Sequence, residues 1–328
     1  MNEVTFRGSY YEMGRQSGRA LRESGTTLPS LNRAQHGVVD VLVREVEPLI
    51  PELFEEMRGL AEAGNLDVES VYFYSLCIGI VPSCTVVAVS GQHTASGRPM
   101  FGRNYDAGPE AADFTLYRTY PTGAFSHIGC AYDLLIGRED GINEKGLAVA
   151  VTGVQGQTTA RPGLWDHIPV RAVLDRCSTV EEAVALLESL PHLWTKNFLI
   201  ADSTGSLAIV EAAQACVETR RMSGGFAAIA NHFVSPKMTP LFDMKRVPSN
   251  SVDRLRRAHS WFEASAAGDR PIDGKDLKTL LSSTEDGVRS EIDETFQTVW
   301  SWVAELGDRR IDLCNRLPES AHYQTYEF

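Results

Sequence analysis

No CxxC pair, no basic block and no apolar run long enough to cross a bilayer occurs in this 328-residue sequence. The six cysteines, Cys77, Cys84, Cys130, Cys177, Cys216 and Cys314, are scattered. That spacing excludes a zinc ribbon or a disulfide framework and reads as reduced, mostly buried thiols. A formal net charge of -12 argues against a nucleic-acid partner. The one dense basic stretch, Arg254-Leu255-Arg256-Arg257, is short enough to be a single helix face. The longest apolar run, from about Val71 to Pro82, is too short for a membrane span. Met1-Asn2-Glu3-Val4-Thr5-Phe6-Arg7 has no apolar core of a secretory signal. The expectation is a cytoplasmic enzyme with no metal, no cofactor and no membrane partner; whether it forms a homo-oligomer is left open.

What is present is material for a large core, since 43% of the residues are hydrophobic. The first 80 residues read as helical. Leu42, Val46, Ile50, Leu53, Met57 and Leu60 fall in steps of three and four. Pro48 and Pro51 split that stripe into two helices, with Pro51 in the first turn of the second. Gly64-Asn65 ends it, and a short third helix starts at Asp67. Then the texture changes to strands, expected at 85–90, 99–104, 146–152, 198–201, 207–211, 216–220 and 226–230, with turns such as Asn143-Glu144-Lys145-Gly146 between them. Helices return at 178–190, with Ser178 and Glu181 as a capping box, and at 251–264 and 274–281. A last strand pair is expected at 298–303 and 310–314. With no repeat and no long linker, one α+β domain in a layered αββα arrangement is predicted.

Chemistry concentrates around Cys84. It opens the apolar, β-branched run Cys84-Thr85-Val86-Val87-Ala88-Val89, and after a turn the next strand, Phe101-Gly102-Arg103-Asn104-Tyr105-Asp106, delivers an Arg and an Asp. A thiol so placed suits the nucleophile of an amide-cleaving enzyme, which also needs a base and donors for the oxyanion. Two readings are open. In one, an internal Cys84 borrows one of eight histidines, of which His93 is nearest in sequence, although none forms a recognisable local signature with it. In the other, the Ser83–Cys84 bond is cut and the new α-amine, with an unperturbed pKa of about 7.7–8, takes the thiol proton. Asp106 would then orient the amine, and Arg103 would pair with Asp106 or steady the thiolate.

Several stretches resemble the N-terminal-nucleophile (Ntn) hydrolases of the penicillin acyltransferase family, relatives of bile-salt hydrolases and penicillin V acylases. Cys84-Thr85 followed by Gly102-Arg103-Asn104-Tyr105-Asp106 resembles their nucleophile region. Gly8-Ser9-Tyr10-Tyr11-Glu12-Met13-Gly14 and Glu55-Glu56-Met57-Arg58-Gly59-Leu60-Ala61-Glu62 resemble the prosegment of the acyltransferase branch. Asp140-Gly141-Ile142-Asn143-Glu144-Lys145-Gly146-Leu147, Ala230-Asn231-His232-Phe233 and Ser249-Asn250-Ser251-Val252-Asp253-Arg254-Leu255 follow in the family's order.

The resemblance implies a four-layer αββα sandwich. Residues 1–83 would be a helical prosegment retained as a small subunit after self-cleavage between Ser83 and Cys84, and residues 84–328 the catalytic domain. It implies Cys84 as nucleophile, Asp106 as partner of its amine, Asn231 as oxyanion donor, and Arg103 and Arg254 as electrostatic support. The substrate would be a small linear amide. Bile-salt hydrolases carry a second Asn where this chain has Val151-Thr152-Gly153, so the second oxyanion donor has to come from elsewhere. Acyl transfer to an amine, an uncleaved Cys–His hydrolase and a catalytically silent binding module are the alternatives. Each candidate also has a plain structural reading: Arg103 and Asp106 as an ion pair, Asn231 as a turn cap, Arg254 as a solvated helix residue.

Overall fold

The computed structural model describes residues 1–79, 83–108, 114–132, 136–156, 161–293, 296–318 and 322–328. Residues 80–82, the end of the longest apolar run, lie outside the described residues.

The N-terminal helices form where the sequence places their caps. Ser9 and Glu12 make a reciprocal capping box that starts α1 (Tyr10–Glu23), and Asn32 and Gln35 do the same for α2 (Arg33–Val46). Pro51 opens α3 (Pro51–Gly64), Asn65 closes it in the left-handed conformation at φ 53°, and Asp67 caps α4 (Val68–Cys77). The expectation that the first 80 residues are all helical is corrected by β1 (Asn2–Gly8), which runs parallel to β4 (Thr115–Pro121). The strand is set by a partner more than a hundred residues away: Phe6 stacks on Tyr117 with ring centroids 5.7 Å apart.

The two segments that resemble a prosegment touch each other. A Cβ on Gly14 of α1 would lie 1.8 Å from the Glu56 carbonyl oxygen of α3, and one on Gly59 would lie 2.1 Å from that of Tyr11. Only glycine allows this backbone approach. Gly14→Ala is therefore expected to destabilise the chain by about 1–3 kcal/mol, read as a lower urea midpoint at unchanged slope; an unchanged midpoint would show that the crossing tolerates a methyl group.

Two sheets stack face to face. In the first, β1 and β4 are followed by β5 (His127–Ala131), β6 (Asp140–Asn143), β7 (Ala148–Gly153), β8 (Lys196–Ala201), β9 (Leu207–Ala212) and β10 (Val217–Arg221). In the second the order is β11 (Phe226–Ile229), β2 (Ser83–Val89), β3 (Met100–Ala107), β13 (Phe296–Glu305), β14 (Arg310–Cys314) and β15 (Gln324–Glu327), with β12 (Glu291–Asp293) against β13. The expected strands are present with ends shifted by at most three residues, and 310–314 is matched at both ends. β1, β4, β5, β6, β12 and β15 are additions that local pattern did not show.

Helices cover both outer faces. α5 (His167–Arg176) and α6 (Val180–Ser189) pack on the first sheet beside α1 and α3, while α7 (Ser251–Ala267) and α8 (Gly274–Ser282) pack on the second. The box opening α6 is Thr179 with Glu182, one residue later than expected, because the Glu182 carboxylate collects the N–H groups of both Ser178 and Thr179. The result is the four-layer αββα sandwich of the Ntn-hydrolase fold. β2 lies in its middle, so both of its faces are buried: Cys84, Val86 and Ala88 face the other sheet, and Val87 and Val89 face α7 and α8. That explains its unbroken apolar run. No helix among the described residues is long and apolar enough to cross a membrane, and none of the six cysteines forms a disulfide.

Candidate active site

Register delivers the site. β2 and β3 are antiparallel, with Ser83 opposite Asp106, Cys84 opposite Tyr105 and Val86 opposite Arg103. Alternation then puts Cys84, Arg103 and Tyr105 on the face between the sheets and Ser83, Thr85 and Asp106 on the face toward α7. Arg103 and Asp106 are thus on opposite faces and do not pair with each other. Each has its own partner.

Between the sheets, Arg103 is a bridge. Its Nη2 lies 3.1 Å from Cys84 Sγ, and the guanidinium also donates to the Glu139 carbonyl at 2.7 Å and the Val151 carbonyl at 3.3 Å while pairing with the Asp140 carboxylate. All of these groups are buried. Burial pushes the Cys84 thiol up to about 12; Arg103 pulls it back and Asp106 adds to the rise. In the unbroken chain the thiol is therefore protonated at neutral pH. No histidine among the described residues bonds to Sγ. His93 shares a hydrogen bond with Gln92, and His232 with Ser251.

On the other face, Arg254 gathers the backbone around the Ser83–Cys84 bond. Its guanidinium donates to the Cys84 carbonyl at 2.8 Å, to Asn231 Oδ1 at 2.8 Å and to Ser83 Oγ at 3.2 Å, also reaches Thr85 Oγ1, and lies 3.2 Å from Asp106 Oδ2. Asn250, the residue before α7, accepts from its Nε at 3.0 Å. The reading of Arg254 as a solvated helix residue is corrected: it is fully buried, whereas Arg256, two residues and just over half a turn further on, faces solvent.

Asp106 takes a 2.6 Å hydrogen bond from Thr298 on Oδ1, while its Oδ2 accepts no hydrogen bond. Burial raises its pKa, against the pull of Arg254. The amide nitrogen of Cys84 does not meet Asp106 in the unbroken chain. It donates to Asn231 Oδ1 at 3.1 Å, an atom that also takes the Ser83 hydroxyl at 2.9 Å. The Asn231 amide group donates at 2.9 Å to the Gly153 carbonyl. Asn231 is therefore an acceptor toward Cys84 through its Oδ1, while its Nδ2, which carries two N–H groups, spends one of them on the Gly153 carbonyl. β7 offers no spare donor beside it, since the Thr152 hydroxyl donates to the Ala230 carbonyl at 2.6 Å.

Residues 93–319 match the family of the acyl-coenzyme A:6-aminopenicillanic acid acyl-transferase, more than half of the chain. The chain belongs to that acyl-transferase family. Its fold is similar to that of solved Ntn hydrolases. A mutant of the conjugated bile acid hydrolase of Clostridium perfringens aligns at TM-score 0.52 and 14% identity, covering 75% of this chain and 92% of that one. The Caenorhabditis elegans ortholog of N-acylethanolamine-hydrolyzing acid amidase aligns at TM-score 0.51 and 18% identity, covering 75% and 100%. Comparison with curated proteins found no match.

Within this acyl-transferase family member, several site groups escaped the sequence reading. Asp140 was visible as the first residue of a motif, but its bond to Arg103 was not. Thr298, which holds Asp106, carried no local signal, and Ser251 was visible only as part of a motif, without its bond to the Asn231 backbone N–H. A second buried cluster lies next to Arg103. Glu139 and Asp166 are both pushed up by burial, and Lys196 is pulled down to about 8 by burial, against the attraction of the two acids. Lys196 lies just ahead of the strand expected at 198–201 and opens β8 in the structure. Only the stacking of layers buries it.

Proposed function

We propose that this chain is a self-processing amidohydrolase with Cys84 as its N-terminal nucleophile. The observation that carries this reading is the pairing at Cys84 itself: Sγ has a guanidinium and no histidine beside it, and its backbone nitrogen lies in a buried polar cradle. In the first reaction Sγ attacks the Ser83 carbonyl carbon, the C–N bond breaks, and the nitrogen keeps the thiol proton. A thioester links Ser83 to Cys84, and water cleaves it to a Ser83 carboxylate, a free thiol and a free amine. The amine would lie near Asn231 Oδ1, with Asp106 on the facing strand, and serve as the base that a histidine supplies elsewhere.

In the second reaction the mature thiol attacks a small linear amide, the amine leaves with a proton, and the acyl group stays on sulfur. Water then releases the acid. Arg103 would stabilise the thiolate, and the Asn231 Nδ2 amide would donate to the oxyanion. An amine replacing water would make the same enzyme an acyltransferase; hydrolysis is favoured because no acceptor site is apparent. Segment 1–83 would stay bound as a subunit, since β1 is hydrogen-bonded along β4, and α1 and α3 share one apolar cluster with Tyr117, Ile136 and Ile168. The cytoplasm is the proposed compartment.

Intact mass tests both steps. Two fragments divided between Ser83 and Cys84 are expected, and brief incubation with N-acyl amines should add the acyl mass to the 84–328 fragment. A single 36.1 kDa chain that nonetheless turns over amides would refute the proposal.

A further inference from the structure

We propose a second binding site, for a medium-chain carboxylic acid, in the cavity between β1 and β4 on one side and α1 and α3 on the other, with Arg138 as its anion-binding group. The cavity has a volume of about 530 Å³, within the usual range of small-molecule sites. Phe6, Leu21, Leu60, Tyr117 and Ile136 give it apolar walls, and Arg138 and Glu56 contribute charge. It lies on the outer face of the first sheet, among the side chains that face the helices, whereas Cys84 faces the space between the sheets.

Arg138 is the unusual group. It is only 1% exposed and lies over the Tyr117 ring at 4.1 Å. Its Nη atoms donate to the Gly137 carbonyl at 2.6 Å, the Ile136 carbonyl at 3.3 Å and Thr119 Oγ1 at 2.7 Å. Its Nε has no acceptor, and no carboxylate pairs with it among the described residues. The neighbouring acids are taken: Arg171 holds the Glu56 carboxylate at 2.9 Å and that of Asp175 at 2.9 Å, and His127 holds Asp175 from the other side. Burial and the neighbouring Arg171 pull Arg138 down to about 9, with only partial compensation from Glu56 and Asp175, which Arg171 holds. A carboxylate entering the cavity would complete it with a charge-assisted bond at Nε, while the alkyl chain covers Phe6, Leu21 and Leu60. An acid fits better than an alcohol or an amine because the unmet group is a cation.

Because the walls come from residues 1–60 on one side and 117–138 on the other, an occupant would tie the two parts together whether or not the chain is cut.

Titration calorimetry of decanoate into the purified protein tests the site. Saturable binding is expected, about tenfold or more tighter than for decanol, and weakened about tenfold or more in Arg138→Met. Ala20→Trp, an exposed position at the mouth of the cavity, should remove binding while leaving amide turnover unchanged, and it keeps the test decisive if Arg138→Met does not fold. No binding of decanoate, equal affinity for decanol, or full binding in Ala20→Trp would each overturn the proposal; the last would put the acid at the Cys84 site instead.

Discussion

Cys84→Ala is expected to leave one uncut chain and no amidase activity. Removing the attacking sulfur stops thioester formation at Ser83 and at the substrate alike. Turnover should fall on the order of 10⁴-fold or more, as for loss of a covalent nucleophile elsewhere. The fold should survive, because alanine fills most of the same buried position without leaving a charge unpaired. A denaturing gel and an amide-release assay check both effects in one preparation. A variant that is still cut, or still active, would rule Cys84 out. The pH dependence has a sign as well. With the thiol pushed up to about 12 in the unbroken chain, its thiolate fraction rises about tenfold per pH unit through the neutral range. Self-cleavage of fresh precursor should climb in step from pH 6 to 8, and a flat profile would exclude thiolate attack.

Arg254→Met is expected to produce the largest loss of stability. The substitution keeps an unbranched apolar stem but strips a guanidinium from Cys84 O, Ser83 Oγ, Asn231 Oδ1 and Asp106 together. Asp106, fully buried, would be left without its cation. Breaking one side of such a pair costs about 3–5 kcal/mol. Adding Asp106→Asn should restore part of that loss, because the orphaned charge is gone, and urea unfolding of the two single variants and the double variant gives the coupling. Additive effects would mean that Arg254 and Asp106 do not act as a pair. Cleavage between Ser83 and Cys84 should slow in both Arg254 variants, since the scissile region loses the group that gathers it.

The residues that fold locally were legible in the sequence. Pro51, Asn65 and Asp67 punctuate the N-terminal helices because capping and proline geometry act within one turn. The run at Cys84 announced a buried strand, and the order of short motifs announced the αββα layers. β1 did not show, because its partner β4 is remote, and α6 starts one residue later than its cap signal because Glu182 has two N–H groups to satisfy. At the site, the type of each residue was readable but its face was not. Arg103 and Asp106 look like neighbours three residues apart, yet strand alternation sends them to opposite sides of β3, one to Asp140 and the thiol and the other to Arg254 and Thr298.

By itself the sequence determined that Cys84 heads a strand, that Arg103, Asp106, Asn231 and Arg254 accompany it, and that the chain is layered α+β. The strand, Arg103 and Asp106 follow from spacing and residue type, which are local, and Asn231 and Arg254 from the resemblance of short motifs to the family. Only the tertiary structure decided that Arg254 is buried over the Ser83–Cys84 bond, that Asn231 presents an acceptor to Cys84, and that Arg138 has no carboxylate paired with it among the described residues. Those outcomes depend on which distant groups share a low-dielectric interior, where each charge is governed by the partner that packing brings to it.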